Sequence, residues 1–131
     1  MSQKIALVTG GTGGLGTFIC RSLADAGFTV VAGYNSGGNH DKAKAWQAEQ
    51  KEAGYDILVA YGDVTNEESC QQCIATVEEV AGGTVDILIN NAGITRDTTF
   101  KRMTPTQWIE VINTNLNSMF NVTRLIIDDM L

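Results

Sequence analysis

The sequence predicts an α/β fold, a doubly wound parallel sheet with helices on both faces. Short apolar runs alternate with longer segments of helical periodicity, which is the pattern of consecutive strand–helix–strand units. Turns rich in glycine or asparagine follow several of the apolar runs, where the carboxyl ends of parallel strands lie. The 14 glycines cluster at turns without a collagen-like period, so they indicate tight turns and close backbone approaches.

Two strand–helix units are predicted in the amino-terminal part of the chain. Ile5–Val8 is a continuous apolar run, as expected of a strand covered on both faces, and Thr29–Tyr34 is the second predicted strand. A helix is predicted over Gly14–Gly27, with its last glycine as the stop, and another over Asp41–Ala53. The predicted buried stripe of the first helix consists of Leu15, Phe18, Ile19 and Leu23.

The third strand is predicted over Ile57–Tyr61 and the fourth over Val85–Ile89. Between them, Thr65–Glu68 has the form of a capping box, in which a hydroxyl and a carboxylate satisfy the first amides of a helix. The predicted apolar face of that helix consists of Cys70, Cys73, Ile74, Val77 and Val80. Because both cysteines of the Cys-x-x-Cys pair lie on this face, we predict core packing for them and not redox chemistry.

A last helix is predicted from a second capping box, Thr104–Gln107, which has proline at the first helical position. Its positions at helical spacing are Trp108, Ile112, Leu116, Met119, Phe120, Thr123, Ile127 and Met130. No glycine cap follows, and Asp128 and Asp129 stand where the helix dipole disfavours negative charge. We therefore interpret residues 1–131 as the amino-terminal part of a single domain, truncated after this helix.

Composition excludes several classes of function. The net charge of −6 argues against nucleic-acid binding, which normally needs a basic surface. The start of the chain is interrupted too soon for a signal peptide or a membrane span. Three cysteines, an odd number, fit a reducing compartment, so a cytoplasmic location is predicted. No metal site is predicted.

The strongest functional motif is Thr-Gly-Gly-Thr-Gly-Gly-Leu-Gly at Thr9–Gly16, between the first strand and the first helix. The pyrophosphate of a dinucleotide binds backbone amides at the positive end of a helix, where no side chain intervenes. Gly10 is expected to make the tight turn, Gly14 to let the backbone approach the phosphate, and Gly16 to allow close helix packing. The motif therefore predicts a Rossmann-type dinucleotide site.

Two further motifs follow strands at the same edge of the predicted sheet. Asn90–Gly93 comes directly after the fourth strand, and Gly62–Val64 comes directly after the third. In open α/β sheets, ligands bind beyond the carboxyl ends of the strands. Each motif alone is weak, but the three together predict a single nucleotide site.

These motifs, with Asn115 in the run Asn-Thr-Asn-Leu, resemble those of the short-chain dehydrogenase/reductase family in order and spacing along the whole chain. The resemblance implies a seven-stranded sheet and an Asn, Ser, Tyr, Lys tetrad that moves hydride between nicotinamide and a carbonyl or alcohol. Asn115 matches the catalytic asparagine, whose local backbone supports a proton-relaying water. The Ser and the Tyr-x-x-x-Lys motif lie further along in this family, and none of the three tyrosines here precedes such a lysine. We therefore expect the 131-residue chain alone to be inactive.

The resemblance also implies the cofactor contacts. Asp63 and Val64 are expected to hold the adenine, and Asn91–Gly93 to line the path of the ribose and nicotinamide. The complete predicted set of cofactor-binding residues is Gly10, Thr12, Gly13, Gly14, Leu15, Gly16, Tyr34, Asn35, Gly62, Asp63, Val64, Asn91, Ala92, Gly93 and Ile94.

The end of the second strand predicts which cofactor is preferred. An acidic residue near this point usually binds the ribose 2′-hydroxyl of NAD. This region begins with Gly33–Gly37, and no carboxylate occurs in it before Asp41. A 2′-phosphate would therefore meet no repulsion there. NADP(H) is therefore predicted, with His40, Lys42 and Lys44 as candidates to bind the phosphate.

Within the family, Ile94–Asp97, Phe100–Met103, Trp108 and the segment beginning at Asn115 resemble acetoacetyl-coenzyme A reductases. These enzymes reduce a 3-oxoacyl thioester to the (R)-3-hydroxy compound in polyhydroxybutyrate synthesis. The resemblance implies that Asp97 borders the substrate entrance. It also implies a homotetramer in which the last helix is an interface. From the composition and the start of the chain, neither a nucleic acid nor a membrane is expected as a partner.

Two alternatives remain open at this stage. The 3-oxoacyl-(acyl carrier protein) reductases of fatty-acid synthesis share the segment Ile94–Asp97, and Arg96, Lys101 and Arg102 either meet an anionic carrier or form a solvated loop. The other alternative is a non-catalytic fragment that binds a dinucleotide or pairs with another chain.

Overall fold

The computed structural model describes residues 3–35, 38–94 and 96–131. Its sheet has four parallel strands in the order β3-β2-β1-β4, which confirms the predicted fold class. The strands are β1 (Ile5–Val8), β2 (Thr29–Tyr34), β3 (Leu58–Tyr61) and β4 (Ile87–Ile89). The last two begin later than predicted, because Ile57 and Val85 are buried but precede the residues that pair with the neighbouring strand.

Five α-helices flank this sheet in the described part of the chain: α1 (Gly14–Asp25), α2 (His40–Glu52), α3 (Glu67–Ala81), α4 (Pro105–Ile112) and α5 (Ser118–Met130). A 3₁₀ turn covers Phe100–Arg102. The predicted single last helix is interrupted by a π-helical turn, Asn113–Asn117, between α4 and α5. Turns of this kind are rare in proteins, and those that occur are frequently found at functional sites.

The helices cover both faces of the sheet. Cys20 of α1 joins Val8 and Ala32 in a buried cluster on one face, where Trp46 of α2 also packs. Ile74 of α3 and Ile126 of α5 pack with strand residues on the other face. Adjacent strand residues point to opposite faces, so each strand contributes to both clusters. This arrangement makes the sheet doubly wound.

The predicted buried stripe of α1 is wrong at two of its four positions. Leu15 and Phe18 are 66% and 70% exposed, whereas Gly16 and Cys20 are the buried residues of this helix. The first turn of α1 lies over the backbone of the preceding glycine turn, against which Gly16 packs. That contact sets the rotation of the helix, so the two large apolar side chains face outward.

The predicted capping box at the start of α3 is also wrong. The N-cap is Asn66, whose side chain accepts a hydrogen bond from the amide of Ser69 at 2.8 Å. The Thr65 hydroxyl instead donates to the Asp63 carboxylate at 2.7 Å. Because that aspartate competes for the hydroxyl, the helix begins one residue later than the box implies. Val80, predicted on the apolar face, is exposed.

The second capping box is confirmed: Thr104 and Gln107 cap the first turn of α4 reciprocally. The apolar stripe that follows the box along α4 and α5, however, is largely exposed in the described part of the chain. Its exposed members are Trp108, Leu116, Met119, Phe120, Ile127 and Met130. The inner face of α5 is formed instead by Ser118, Val122 and Ile126, which are buried.

Candidate cofactor site

A cavity of about 580 Å³ lies beyond the carboxyl ends of the strands, and it is called the main cavity because the predicted cofactor-binding residues line it. All the residues predicted to bind the cofactor line it, from the glycine turn after β1 to the loop after β4. Nine further residues line the cavity and were not predicted from the sequence: Leu7, Thr9, Gly33, Thr65, Cys70, Cys73, Ile74, Thr114 and Val122. The cavity occupies the position where open α/β sheets bind ligands.

The glycine turn after β1 is shaped by close backbone contacts. Gly10 has φ of +62°, and a Cβ atom there would lie 2.9 Å from the Cα of Ala92 in the loop after β4. A Cβ at Gly16 would overlap the carbonyl oxygen of Gly10 and lie 2.8 Å from the Cα of Gly11. Gly16 thus packs α1 against the turn. At Gly14, by contrast, a Cβ would meet no described atom within 4 Å.

The amino end of α1 differs from those of α2 and α3. Asn39 and Asn66 cap α2 and α3, and both helices carry acidic residues in their first turns. The N-cap of α1 is Gly13, which offers no side-chain hydrogen bond, and no acidic residue lies in the first turn. The first amides of a helix carry partial positive charge and need acceptors. The cavity-facing end of α1 is therefore suited to an anionic ligand.

The turn after β3 is held by hydrogen bonds from several elements. Ser69 of α3 accepts from the amide of Asp63 at 2.8 Å, and the Asp63 carboxylate accepts from the amide of Thr65 at 3.0 Å. Asn121 of α5 donates to the carbonyl of Val64 at 3.0 Å. A Cβ at Gly62 would lie 2.6 Å from the Cβ of Cys73, so only glycine fits there.

Thr9 organises the loop after β4, a role that was not predicted from the sequence. Its hydroxyl oxygen accepts from the amides of Asn91 and Ala92, both at 3.0 Å. The Asn91 side chain in turn donates to the carbonyl of Gly10 at 3.1 Å. Thr9 is buried and lines the cavity, so these bonds join the ends of β1 and β4 at the cavity floor. The threonine that opens the glycine motif was the available signal.

Asn115 lies on the π-helical turn and bonds to the loop after β4. Its Oδ1 accepts from the amide of Ile94 at 2.8 Å, and its Nδ2 donates to the carbonyl of Ile94 at 2.9 Å. Together with Gly93 and Arg96 these residues line a second, open cavity of about 560 Å³. Asp97 is exposed and lines neither of these two cavities.

The end of β2 carries an aromatic cluster. The Tyr34 hydroxyl and the Nδ1 of His40 are joined by a 2.7 Å hydrogen bond, and the ring of Tyr61 meets both rings edge-on. Burial, and then the neighbouring Tyr61 and Cys73, raise the pKa of Tyr34, so its hydroxyl stays neutral. Ser36 and Gly37 of the predicted phosphate-binding loop, like Thr95, lie outside the described residues.

Lys44 is wrongly placed to bind a 2′-phosphate. It lines a different cavity, together with Gln3, Thr29 and Leu58, which lie at or before the amino ends of the strands. The predicted phosphate position is at the opposite end of the sheet, beside Asn35. Lys42 is exposed, and His40 contacts Tyr34, which lines the main cavity.

The cysteines are packing residues. Burial raises the pKa of Cys20 to about 12 and the pKa values of Cys70 and Cys73 to about 11. Thiols with such values hold little reactive thiolate near neutrality. All three are free, and Cys70 belongs to the core cluster against which Cys73 packs, which confirms the predicted packing.

Other functional features are limited in the part of the chain that the structure describes. Arg96 forms a 2.7 Å ion pair with Glu110, so this basic side chain bridges the loop after β4 and α4. Lys101 and Arg102 are exposed. No group of three or more metal-ligating side chains is found among the described residues. None of the helices described is both long enough and apolar enough to cross a membrane.

Known proteins resemble this chain over nearly all of its length. Residues 4–131 match the family model described as short chain dehydrogenase. The chain is 48% identical over 130 residues to an acetoacetyl-CoA reductase of Cupriavidus necator and 53% identical over 124 residues to nodulation protein G of Azospirillum brasilense. It is 38% identical over 129 residues to a 3-oxoacyl-[acyl-carrier-protein] reductase of Staphylococcus epidermidis. The alignments cover 99%, 95% and 98% of this chain and 52%, 49% and 52% of those proteins, so the chain spans about half their length.

The fold is also similar to solved structures. A gluconate 5-dehydrogenase from Burkholderia cenocepacia, in complex with NADP and tartrate, matches with a TM-score of 0.84 and 30% identity. The match covers 99% of this chain and 49% of that one.

Proposed function

Because the chain belongs to the short-chain dehydrogenase family, we propose that it is the cofactor-binding part of an NADPH-dependent reductase acting on a 3-oxoacyl thioester. One observation carries this proposal: the uncapped amino end of α1 opens into the same cavity as the turn after β3 and the loop after β4. The backbone amides proposed for a pyrophosphate, the turn proposed for adenine and the loop proposed for nicotinamide therefore line one cavity.

The residues of the cavity fit a dinucleotide. Gly14 leaves open space in front of the first turn of α1, as the approach of a phosphate to backbone amides requires. Asp63 and Val64 would hold the adenine, and Asn91–Ile94 would line the ribose and nicotinamide. When bound, the nicotinamide supplies the hydride of the reduction. Tyr34 and Asn35 place no carboxylate at the end of β2, which favours the 2′-phosphate of NADPH.

In this proposal Asn115 acts by holding the loop that carries Gly93 and Ile94, and by placing the backbone of the π-helical turn beside the second cavity. That backbone would support a water molecule in the proton relay of the family. The proton donor itself would be the tyrosine of a Tyr-x-x-x-Lys motif. We propose that the longer protein carries this motif outside residues 1–131, because the chain spans about half the length of the relatives it matches.

The proposed substrate is acetoacetyl-CoA, reduced to (R)-3-hydroxybutanoyl-CoA. Relatives named acetoacetyl-CoA reductase are more similar to this chain than the 3-oxoacyl-[acyl-carrier-protein] reductase is. The ion pair of Arg96 with Glu110 also engages one of the basic residues that an acidic carrier protein would contact. Asp97 would border the substrate entrance, and the reaction would take place in the cytoplasm. The exposed stripe of α4 and α5 would be covered in a homotetramer.

The test is NADPH oxidation by the full-length protein with acetoacetyl-CoA and with acetoacetyl-(acyl carrier protein), compared by kcat/KM. The proposal expects a higher value for the coenzyme A thioester and an (R)-3-hydroxy product. A clear preference for the carrier-bound substrate would favour the fatty-acid alternative. Failure to oxidise NADPH with either substrate, or failure to bind NADPH, would refute the proposed reductase.

A further inference from the structure

We propose that Asn121 is a positioning residue for the adenine end of the cofactor site, an inference that rests on the proposed function. Asn121 belongs to the last helix, yet its side chain reaches back to the turn after β3. Its Nδ2 donates to the carbonyl oxygen of Val64 at 3.0 Å across a separation of 57 residues. Its neighbour Val122 is buried in the core cluster with Ile126, so the helix that carries the amide is held by packing.

The other polar groups of this turn show what the Asn121 bond adds. The amide of Asp63 and the amide of Thr65 already have acceptors, Ser69 and the Asp63 Oδ1. Among the described residues, the Val64 amide and the Asp63 Oδ2 have no hydrogen-bond partner. A free amide beside a free carboxylate oxygen offers one donor and one acceptor. Adenine presents the complementary pair, a ring nitrogen and an exocyclic amino group.

Asn121 holds the peptide group between Val64 and Thr65, which adjoins this pair and whose amide donates to the Asp63 carboxylate. Because the Val64 carbonyl is bonded to α5, the backbone after Val64 cannot rotate freely, and the neighbouring donor and acceptor are kept in fixed directions. The nicotinamide end is anchored independently, by Thr9 and by Asn115. Loss of the Asn121 bond should therefore weaken contacts with adenine and leave contacts with nicotinamide intact.

The experiment uses the full-length protein and three probes: NADPH, 2′-phospho-ADP-ribose (called the ADP-ribose phosphate), and reduced nicotinamide mononucleotide. Asn121→Asp keeps the shape of the side chain but replaces the amide donor with a carboxylate facing a carbonyl oxygen. We expect the Kd for NADPH and for the ADP-ribose phosphate to rise about tenfold, as expected for the loss of one hydrogen bond between uncharged groups. The Kd for reduced nicotinamide mononucleotide should not change.

Arg124→Gln is the matched control. Arg124 lies on the same helix and pairs with Glu67 of α3 at 3.6 Å, but both side chains are exposed, and neither makes a hydrogen bond to the described residues of the turn. This variant should bind all three probes as the parent does. If Asn121→Asp does not fold, Asn121→Ala gives the same comparison without the added charge.

The outcomes separate the two proposals. A parent protein that does not bind NADPH refutes the proposed function. A parent that binds NADPH, with variants at Asn121 that bind the ADP-ribose phosphate equally well, overturns the positioning role alone. Equal weakening of the binding of all three probes would show a general structural role for Asn121 and would also overturn the positioning role. The same conclusion would follow if neither Asn121→Asp nor Asn121→Ala folds.

Discussion

Asn115 and Ile94 are joined by two hydrogen bonds, one in each direction between the side chain and the backbone, at 2.8 and 2.9 Å. The pair ties a π-helical turn to the loop after β4, which lines both the main cavity and the smaller one beside it. The packing is tight: a Cβ at Gly93 would lie 3.3 Å from the Oδ1 of Asn115. The asparagine side chain therefore sets the position of the loop proposed to hold the nicotinamide.

Replacing Asn115 with alanine should lower kcat/KM of the full-length reductase at least about tenfold, because small displacements of a reactive group are costly. Loss of the two bonds should reduce the free energy of unfolding by only about 1–2 kcal/mol. Asn117→Ala is the control, since its one side-chain hydrogen bond to a described residue is to Asn113 on the same turn, at 2.8 Å. Steady-state kinetics of both variants checks this, and unchanged activity in Asn115→Ala would contradict it.

Gly14 and Gly16 should respond differently to a valine substitution. Gly14→Val has space on the protein side, so the fold should persist while the Kd for NADPH rises about a hundredfold, because the side chain would stand between phosphate and amides. Gly16→Val would drive a side chain into the backbone of Gly10 and Gly11, destabilising the fold by roughly 3 kcal/mol or more. Cofactor titration and urea unfolding measure the two effects. Normal NADPH binding by Gly14→Val would show that the phosphate lies elsewhere.

The full-length enzyme should prefer NADPH to NADH, and Asn35→Asp should shift the preference toward NADH. A carboxylate at this position, which lines the main cavity, would repel a 2′-phosphate and accept from a 2′-hydroxyl. The measurement is the ratio of kcat/KM for the two cofactors. Lys44→Gln should leave that ratio unchanged, because this lysine lines the cavity at the other end of the sheet. A parent enzyme that favours NADH would refute the prediction.

Alkaline pH should destabilise the protein through its cysteines. Burial raises the pKa of Cys20 from 9.0 to about 12, so the folded state keeps a proton that the unfolded chain releases. The contribution to stability is therefore full below pH 9 and declines between pH 9 and about 12, by up to about 1.4 kcal/mol per pH unit. Urea unfolding at several pH values measures this slope. Cys20→Ala should show a shallower decline, and an identical slope would contradict the assignment.

The 131-residue chain alone should not catalyse the reduction. It has no Tyr-x-x-x-Lys motif, and loss of a general acid alone costs about 10²–10⁴ in rate. Trp108 and Phe120 are 52% and 63% exposed, and β4 stands at an edge of the described sheet, so the 131-residue chain alone should aggregate or pair with the remainder of the proposed longer protein. NADPH oxidation with acetoacetyl-CoA, before and after adding the separately produced remainder, is the measurement. Turnover by the chain alone near that of the full-length enzyme would overturn the prediction.

Much of the fold could be predicted because its signals are local. The apolar run Ile5–Val8, the glycines after it and the cap at Thr104 depend on backbone preferences and periodicities within a few residues. The motifs after β1, β3 and β4 could be assigned to one site because parallel strands end at the same edge. Local signals failed where two of them competed, as at Thr65, whose hydroxyl bonds to Asp63 and leaves Asn66 to cap the helix.

The sequence by itself therefore determined the succession of strands and helices along the chain, the glycines at the turn and the family of the chain. The tertiary structure decided which faces were covered and which distant groups met. Thr9 bonds to the loop 82 residues later, and Asn121 bonds to a turn 57 residues earlier. Such contacts depend on strand order, on helix rotation and on the π-helical turn. Helical periodicity marks an apolar face but not the element that it meets, so only the packed chain shows Phe18 facing outward and Asn121 holding the turn at Val64.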